Sequence, residues 1–408
     1  MERGEIPPLG SSDDVAEIAA AARASGRLGI DTEFMSEGRY RALLCLVQVA
    51  VDDRAGGEPQ IVLVDALQDV DVTPLVELLA DPAVEIVLHA GRQDVAILRR
   101  TWQTDIHNIF DTQIAAGFVG ASAQAGYSNL LGSILGRRVG KTASYTRWNQ
   151  RPLTAEQLSY AREDVVHLLE LSDTIQARLE ESGRVEWALE ECRLLESATD
   201  ERDPETAWER LPRVGQLDPR ARAIARELAA WRERTASQED RPVGSVLADP
   251  ALVEAAKRRP STVSALEQIR GVHPSNIRRR GEVIIQAIER GAEQPPIPRE
   301  DRRGISESGD APLIALAESL IRARGIEAGL AYELIASRAE LDQIVATARR
   351  GDPEPSVRTL LGWRRELVGA DLRDLLAGRS SLAVGEDGRV VVLPRESAAL
   401  PSDSGHLR

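Results

Sequence analysis

Cysteine is almost missing from this chain of 408 residues, where only Cys45 and Cys192 occur. Cys45 lies in an apolar, strand-like run and Cys192 in a helical one. Such placements suit reduced, buried thiols and exclude both a disulfide framework and a cysteine-based metal cluster. Lysine is as scarce: Lys141 and Lys257 are two of 51 basic residues and the rest are arginine. That bias reads as genomic base composition and carries no functional weight. Aromatic residues make up 3% of the chain, and the six tryptophans fall mostly in helical patterns, as packing residues rather than base-stacking platforms. No apolar run approaches the roughly 20 residues that cross a bilayer. The opening "MERGEIPPLGSSDD" lacks an apolar signal core, so a cytoplasmic protein without a membrane partner is expected.

Net charge is −14, which by itself disfavours a nucleic-acid partner, but the charge is uneven. Residues 211–292 hold fifteen Arg/Lys against ten Asp/Glu, a net of +5, which leaves −19 on the remainder. One basic module on an acidic chain fits a protein that grips a polyanion in one place.

The first half mixes strands and helices. "RLGIDTEF", "RALLCLVQVAV" and "QIVLVDAL" read as three consecutive strands, "TPLVELLADP" as a short helix, "VEIVLHA" as a strand and "RQDVAILRRTW" as the helix after it. Helical segments follow, ending in "TAEQLSYAREDVVHLLELSDTIQARLEESG". This predicts one α/β domain over 1–205, a mixed sheet flanked by helices. Beyond it the strand signal vanishes. Residues 211–292 read as short amphipathic helices, 293–310 as a linker rich in Pro, Gly and charge, 311–380 as a second helical segment and 381–408 as a tail. The two helical segments share a loose pattern of helix, short turn and helix.

Within "GRLGIDTEF" a buried-looking strand carries Asp31 and Glu33 two residues apart, on one face. Two like charges held together cost free energy unless a cation, a shared proton or solvent relieves them. Asp94 follows a strand, at the start of the next helix. Tyr160 and Asp164 stand four apart on a helix and share a face. Four carboxylates from a strand, a helix start and a distant helix suit hard divalent cations, magnesium or manganese. Two such ions about 3.5–4 Å apart clamp the attacking and leaving oxygens of a phosphoryl displacement.

"DTEF", "HAGRQD" and "YAREDV" resemble, in order, the three exonuclease motifs of the DEDD superfamily in its tyrosine-bearing branch, with a ribonuclease H-like fold. More narrowly, the chain is similar to the ribonuclease D family. "LLCLVQVA", "NIFDTQIAAGFVG", "YSNLLGSILG" and "KTASYTRWNQRPLTAEQLSYA" extend the likeness over about residues 20–200. The basic segment resembles the helicase-and-ribonuclease-D C-terminal (HRDC) domain. The segment ending "LLGWRRELVGADLRDLLAG" resembles a divergent second copy, giving two small all-α HRDC-type domains.

The resemblance implies that Asp31, Glu33, Asp94 and Asp164 bind two divalent ions, with Asp31 bridging them. It also implies that Tyr160 orients the attacking water and Glu33 helps hold it in line. The implied activity is a 3′–5′ exoribonuclease that releases nucleoside 5′-monophosphates from RNA with a free 3′ end, transfer-RNA precursors above all. The protein is expected to act as a monomer. Two positions depart from the family's usual pattern, Ser36 where an arginine is common and Arg147 where an acid is common. Both bear on substrate positioning.

Two other readings are kept open: a DNA-directed 3′–5′ exonuclease and a non-catalytic RNA-binding scaffold. "GRRVGKT" looks like a phosphate-binding loop, but three residues separate its glycines where four are required, so no ATP site is expected. Lys141 within it is a candidate phosphate contact instead. Lys257, Arg258, Arg259, Arg278, Arg279 and Arg280 are the candidate nucleic-acid contacts of the basic module, blind to base sequence. His89 and His167 flank acidic positions and read as packing or supporting residues.

Overall fold

A computed structural model describes residues 9–52, 57–122, 124–137, 147–299 and 309–395. Helix α1 (Ser12–Ser25) precedes a meander of β1 (Arg27–Met35), β2 (Leu43–Val51) and β3 (Gln60–Asp65). Then come α2 (Thr73–Leu79), β4 (Glu85–Leu88), α3 (Arg92–Trp102) and β5 (Ile109–Asp111). Five further helices complete the first unit: α4 (Thr112–Ala116), α5 (Tyr127–Ile134), α6 (Ala155–Val166), α7 (Leu168–Ser182) and α8 (Val185–Arg193). The sheet runs β3-β2-β1-β4-β5, with β1, β2 and β3 antiparallel and β4 and β5 parallel to β1. The short β5 in "NIFD" was not among the expected strands, since three residues give no readable period.

Strand alternation divides β1 between two cores. Leu28 and Ile30 point to the face covered by α1, α2 and α3. Gly29, Asp31 and Glu33 point to the other, under α6 and α7. Gly29 lets α7 approach, since a Cβ there would lie 3.3 Å from the Leu168 side chain. Pairing between β1 and β4 ends at Gly29 and Val87. From Ile30 onward β1 therefore has no strand beside it on that edge among the described residues. The chain also reverses its order across the sheet here, where open α/β sheets place their ligands.

The basic module pairs α9 (Pro219–Gln238) with α13 (Pro274–Glu293), bridged by α10 (Val243–Val246), α11 (Asp249–Arg258) and α12 (Val263–Glu267). Gly291 permits this contact, because a Cβ would come within 2.7 Å of Ile224 Cα. The first part of the expected linker is docked: Ile297 N–H donates to Pro219 O at 2.9 Å and Arg222 donates to Pro298 O at 2.6 Å. Tyr40 of the β1–β2 loop enters this module's core, and its hydroxyl donates to buried Glu233 at 2.8 Å.

The last helices are α14 (Asp310–Ala328), α15 (Tyr332–Ile335), α16 (Arg338–Arg350), α17 (Gly362–Arg364) and α18 (Ala370–Leu376), with a π-turn at Arg365–Gly369. They share one continuous apolar core with α4, α5, α7 and α8. Trp363 stacks on Trp187 (5.3 Å between ring centres) and meets the edge of Phe118 (5.0 Å). Buried Arg364 pairs with Glu191 and donates to Leu334 O at 2.7 Å. The segment expected as tail holds a hairpin, β6 (Ser380–Val384) with β7 (Val390–Pro394). Among the described residues no helix is long and apolar enough to cross a membrane.

Candidate active site

Asp31, Glu33 and Asp164 each offer a carboxylate oxygen within 4.8 Å of the others. Two come from consecutive same-face positions of β1 and the third from α6. Thr154 caps α6 by accepting from Gln157 N–H, and Gln157 Oε1 accepts from Thr154 N–H at 2.9 Å. This box fixes where the helix begins, and so which face presents Tyr160 and Asp164. Upstream, Arg151 binds buried Asp65 of β3 through two nitrogens and Cys45 O at 3.0 Å, tying the entry of α6 to the sheet. The Tyr160 hydroxyl hydrogen-bonds Asp164.

Asp94 stands at the edge of this group. Its carboxylate accepts from the Thr32 hydroxyl, in the β1 residue between the two acids, and lies outside the three-oxygen cluster. It still acts on its neighbours, raising the pKa of both Asp31 and Glu33. The turn delivering Asp94 is built around Asp111, which is 1% exposed. Asp111 accepts from Ala90 N–H (3.2 Å), Gly91 N–H (2.8 Å), Gln113 N–H (2.9 Å) and Ile114 N–H (3.1 Å). One carboxylate thus caps α4 and pins the loop before α3. Gly91 is needed there, because a Cβ would lie 2.7 Å from Leu88 Cβ. Asp111 was missed in the sequence; the visible signal was an acid directly before "TQI", where a helix cap belongs.

Burial, followed by Asp94, Asp164 and Glu33, pushes the Asp31 carboxyl well above its usual range. Burial and then Asp164 raise Glu33 to about 8. Burial raises Asp164 to about 7, opposed by the Tyr160 hydrogen bond. Such a group is frustrated as it stands, and a divalent cation is the partner that relieves all of it at once. The oxygen-only donor set fits a hard metal ion. Burial and the nearby carboxylates also raise the Tyr160 phenol, so it stays protonated and donates.

His89 is no base. Thr112 Oγ1 donates to Leu88 O at 3.0 Å and so accepts from His89 Nδ1 at 3.0 Å, while burial lowers the ring's pKa. Of the basic candidates, Lys141 lies outside the described residues. Lys257, Arg258 and Arg259 are exposed at the end of α11; Arg258 pairs with Glu254 and Arg259 with Asp218 at 2.6 Å. Arg278 and Arg279 are exposed on α13. Arg280 corrects the reading of "RRR" as three contacts. It is 6% exposed and spends its donors on Glu239 (2.6 Å) and Asn276 (2.7 Å), because the third position of the run turns inward on the helix.

Residues 9–180 match the 3′–5′ exonuclease domain family and residues 221–288 the HRDC domain family. The chain is thus a 3′–5′ exonuclease domain joined to an HRDC module, with that module matched once. It belongs to the ribonuclease D family. It is 36% identical over 391 residues to Ribonuclease D of Granulibacter bethesdensis, covering 94% of this chain and 95% of that one. With Ribonuclease D of Nitrobacter hamburgensis it shares 36% identity over 372 residues, 90% of this chain and 94% of the other. The crystal structure of Escherichia coli RNase D, described as an exoribonuclease involved in structured RNA processing, superposes with a TM-score of 0.80. Identity there is 29%, over 92% of this chain and 99% of that one.

Proposed function

We propose that the chain is a divalent-metal-dependent exoribonuclease that shortens RNA from its 3′ end and releases nucleoside 5′-monophosphates. Its substrates in this reading are transfer-RNA precursors and other small structured RNAs. The observation that carries the site is the convergence of Asp31, Glu33 and Asp164, with Asp94 beside them and Tyr160 hydrogen-bonded to Asp164. Asp31, Glu33, Asp94 and Asp164 would hold the metal, two Mg²⁺ or Mn²⁺ ions. Bound there, the ions would supply charge stabilisation to the attacking and leaving oxygens. Tyr160, kept protonated with its O–H on Asp164, would orient the attacking water by accepting from it, and Glu33 would accept that water's other hydrogen bond. Asp164 holds Tyr160 in place. Thr32 aims Asp94.

We assign residues 1–205 to the nuclease, 211–292 to the HRDC module that grips the RNA body and 293–310 to the linker. A divergent second copy follows over 311–380, and the β6–β7 hairpin extends it into the 381–408 segment. The test is digestion of end-labelled precursor RNA and a matched DNA strand, with and without chelator, resolved to single nucleotides. A chelator-sensitive ladder from the 3′ end of RNA, weaker on DNA, is expected. Equal digestion of DNA would replace the substrate assignment, and products unaffected by chelator would remove the metal from it.

A further inference from the structure

We propose that a cavity on the HRDC module binds a backbone phosphate of RNA, a site separate from the acidic cluster; the proposal rests on the exoribonuclease reading above. The cavity measures about 500 Å³ and lies between the turn into α10 and the turn into α13, with Arg241, Ser245, His273, Asn276, Arg279 and Arg280 in its wall. Among the described residues no carboxylate lines it. Behind the wall stands one acid, Glu239, which Arg280 contacts at 2.6 Å, Arg279 at 3.3 Å and Arg241 at 3.9 Å. Three guanidiniums on one carboxylate leave two positive charges unbalanced. Arg280 is committed to Glu239 and Asn276, but Arg241 and Arg279 are roughly half exposed and each has a single long contact. A guanidinium carries five N–H donors in a fork that fits phosphate oxygens, so most of theirs remain to be used.

The start of α13 does not supply the site. Ser275 N–H donates to His273 Nδ1 at 3.2 Å, Asn276 N–H donates to His273 O at 2.9 Å, and Pro274 has no N–H. With Nδ1 accepting from Ser275 N–H, Nε2 is the ring nitrogen left for a ligand. The ligand contacts therefore come from side chains. Among the described residues no Phe, Tyr or Trp lines the cavity, and contacts from arginines to a backbone phosphate carry no base-sequence information.

Its position gives it a role in the reaction. Asp240, directly after Glu239, accepts from Tyr40 N–H at 3.2 Å and pairs with Arg39 at 2.7 Å. Arg39 and Tyr40 belong to the loop that continues β1, the strand of Asp31 and Glu33. A phosphate held at the arginines is thus tied by one short turn to the strand that carries the acids, so RNA gripped there is held in register with the hydrolytic site.

The experiment measures fluorescence anisotropy of a labelled hairpin RNA with a single-stranded 3′ tail, bound to the full chain in chelator. The variants are Arg241→Ala/Arg279→Ala and Gly244→Glu, whose new side chain enters space where a Cβ meets nothing within 4 Å. Arg234→Ala/Arg270→Ala removes two arginines of the same module outside the cavity. Both cavity variants should bind about five- to tenfold more weakly with a salt slope shallower by about 1–2, while the control stays near the parent. Hydrolysis of a dinucleotide, too short to reach the module, should be unchanged in every variant. Unchanged RNA affinity in the cavity variants, or an equal loss in the control, overturns the site. A further overturning result is inorganic phosphate stabilising the parent but not the variants while RNA affinity stays constant, which marks a pocket for free phosphate. If the parent digests no RNA, the nuclease reading fails, and the anisotropy comparison still decides the pocket.

Discussion

Asp31, Glu33 and Asp164 are held against their own electrostatics, and that tension has a measurable sign. Glu33 at about 8 and Asp164 at about 7 keep protons in the folded chain that an unfolded chain releases near pH 4. Between about pH 4 and 7 the native state binds more protons, so metal-free stability falls as pH rises and levels off above the folded values. Removing one acid relieves the repulsion. Asp164→Asn is expected to raise metal-free stability by an amount on the order of 1–3 kcal/mol while abolishing hydrolysis, measured by thermal unfolding in chelator at pH 8. A lower melting temperature in this variant would contradict the account. The acids themselves were legible because they fall on strand and helix periods and sit within "DTEF", "HAGRQD" and "YAREDV". Thr32, Asp65 and Asp111 were not, because their roles lie in partners 62, 86 and 20–21 residues away. Nothing local to a sequence reports such distances.

The turn between β4 and α3 works as a unit with the cap of α4 through Asp111. Asp111→Ala leaves four buried or half-buried N–H groups without their acceptor, which costs roughly 2–4 kcal/mol if the region cannot rearrange. Since the same turn delivers Asp94, activity is expected to drop at least tenfold, whereas Asp65→Ala should act through the entry of α6. Both are checked by denaturant unfolding alongside initial hydrolysis rates. An Asp111→Ala protein of parental stability and rate would show that the turn is set by other contacts. Elements with clear periods, β1 to β4, α2, α3 and α6, were readable before the structure. The three-residue β5 and the β6–β7 hairpin were not, because one is too short for a period and the other lies in a segment that composition assigned to a tail. The "RRR" run failed for a related reason: helix rotation, not sequence, decides that Arg278 and Arg279 face out and Arg280 in.

Across the whole molecule, the final helices pack as part of the nuclease. Their apolar core is continuous with α4, α5, α7 and α8, and Trp363 lies between Phe118 and Trp187. Trp363→Ala is therefore expected to cost about 3–5 kcal/mol and to lower the midpoint of a single unfolding transition seen both by fluorescence and by loss of activity. Two separate transitions would show the helices to be an independent module. The repeat pattern in the sequence announced these helices but not their docking, because an apolar helix face does not name its partner. The basic module is joined differently, through the polar contacts of Arg39 and Tyr40 to Asp240 and Glu233. The acids are the part on which all of this converges, and calorimetric titration of Mn²⁺ into the parent, Asp31→Asn and Asp164→Asn proteins addresses them directly. Saturable binding in the parent that is lost in both variants is the expected result; undiminished binding in Asp31→Asn would contradict it.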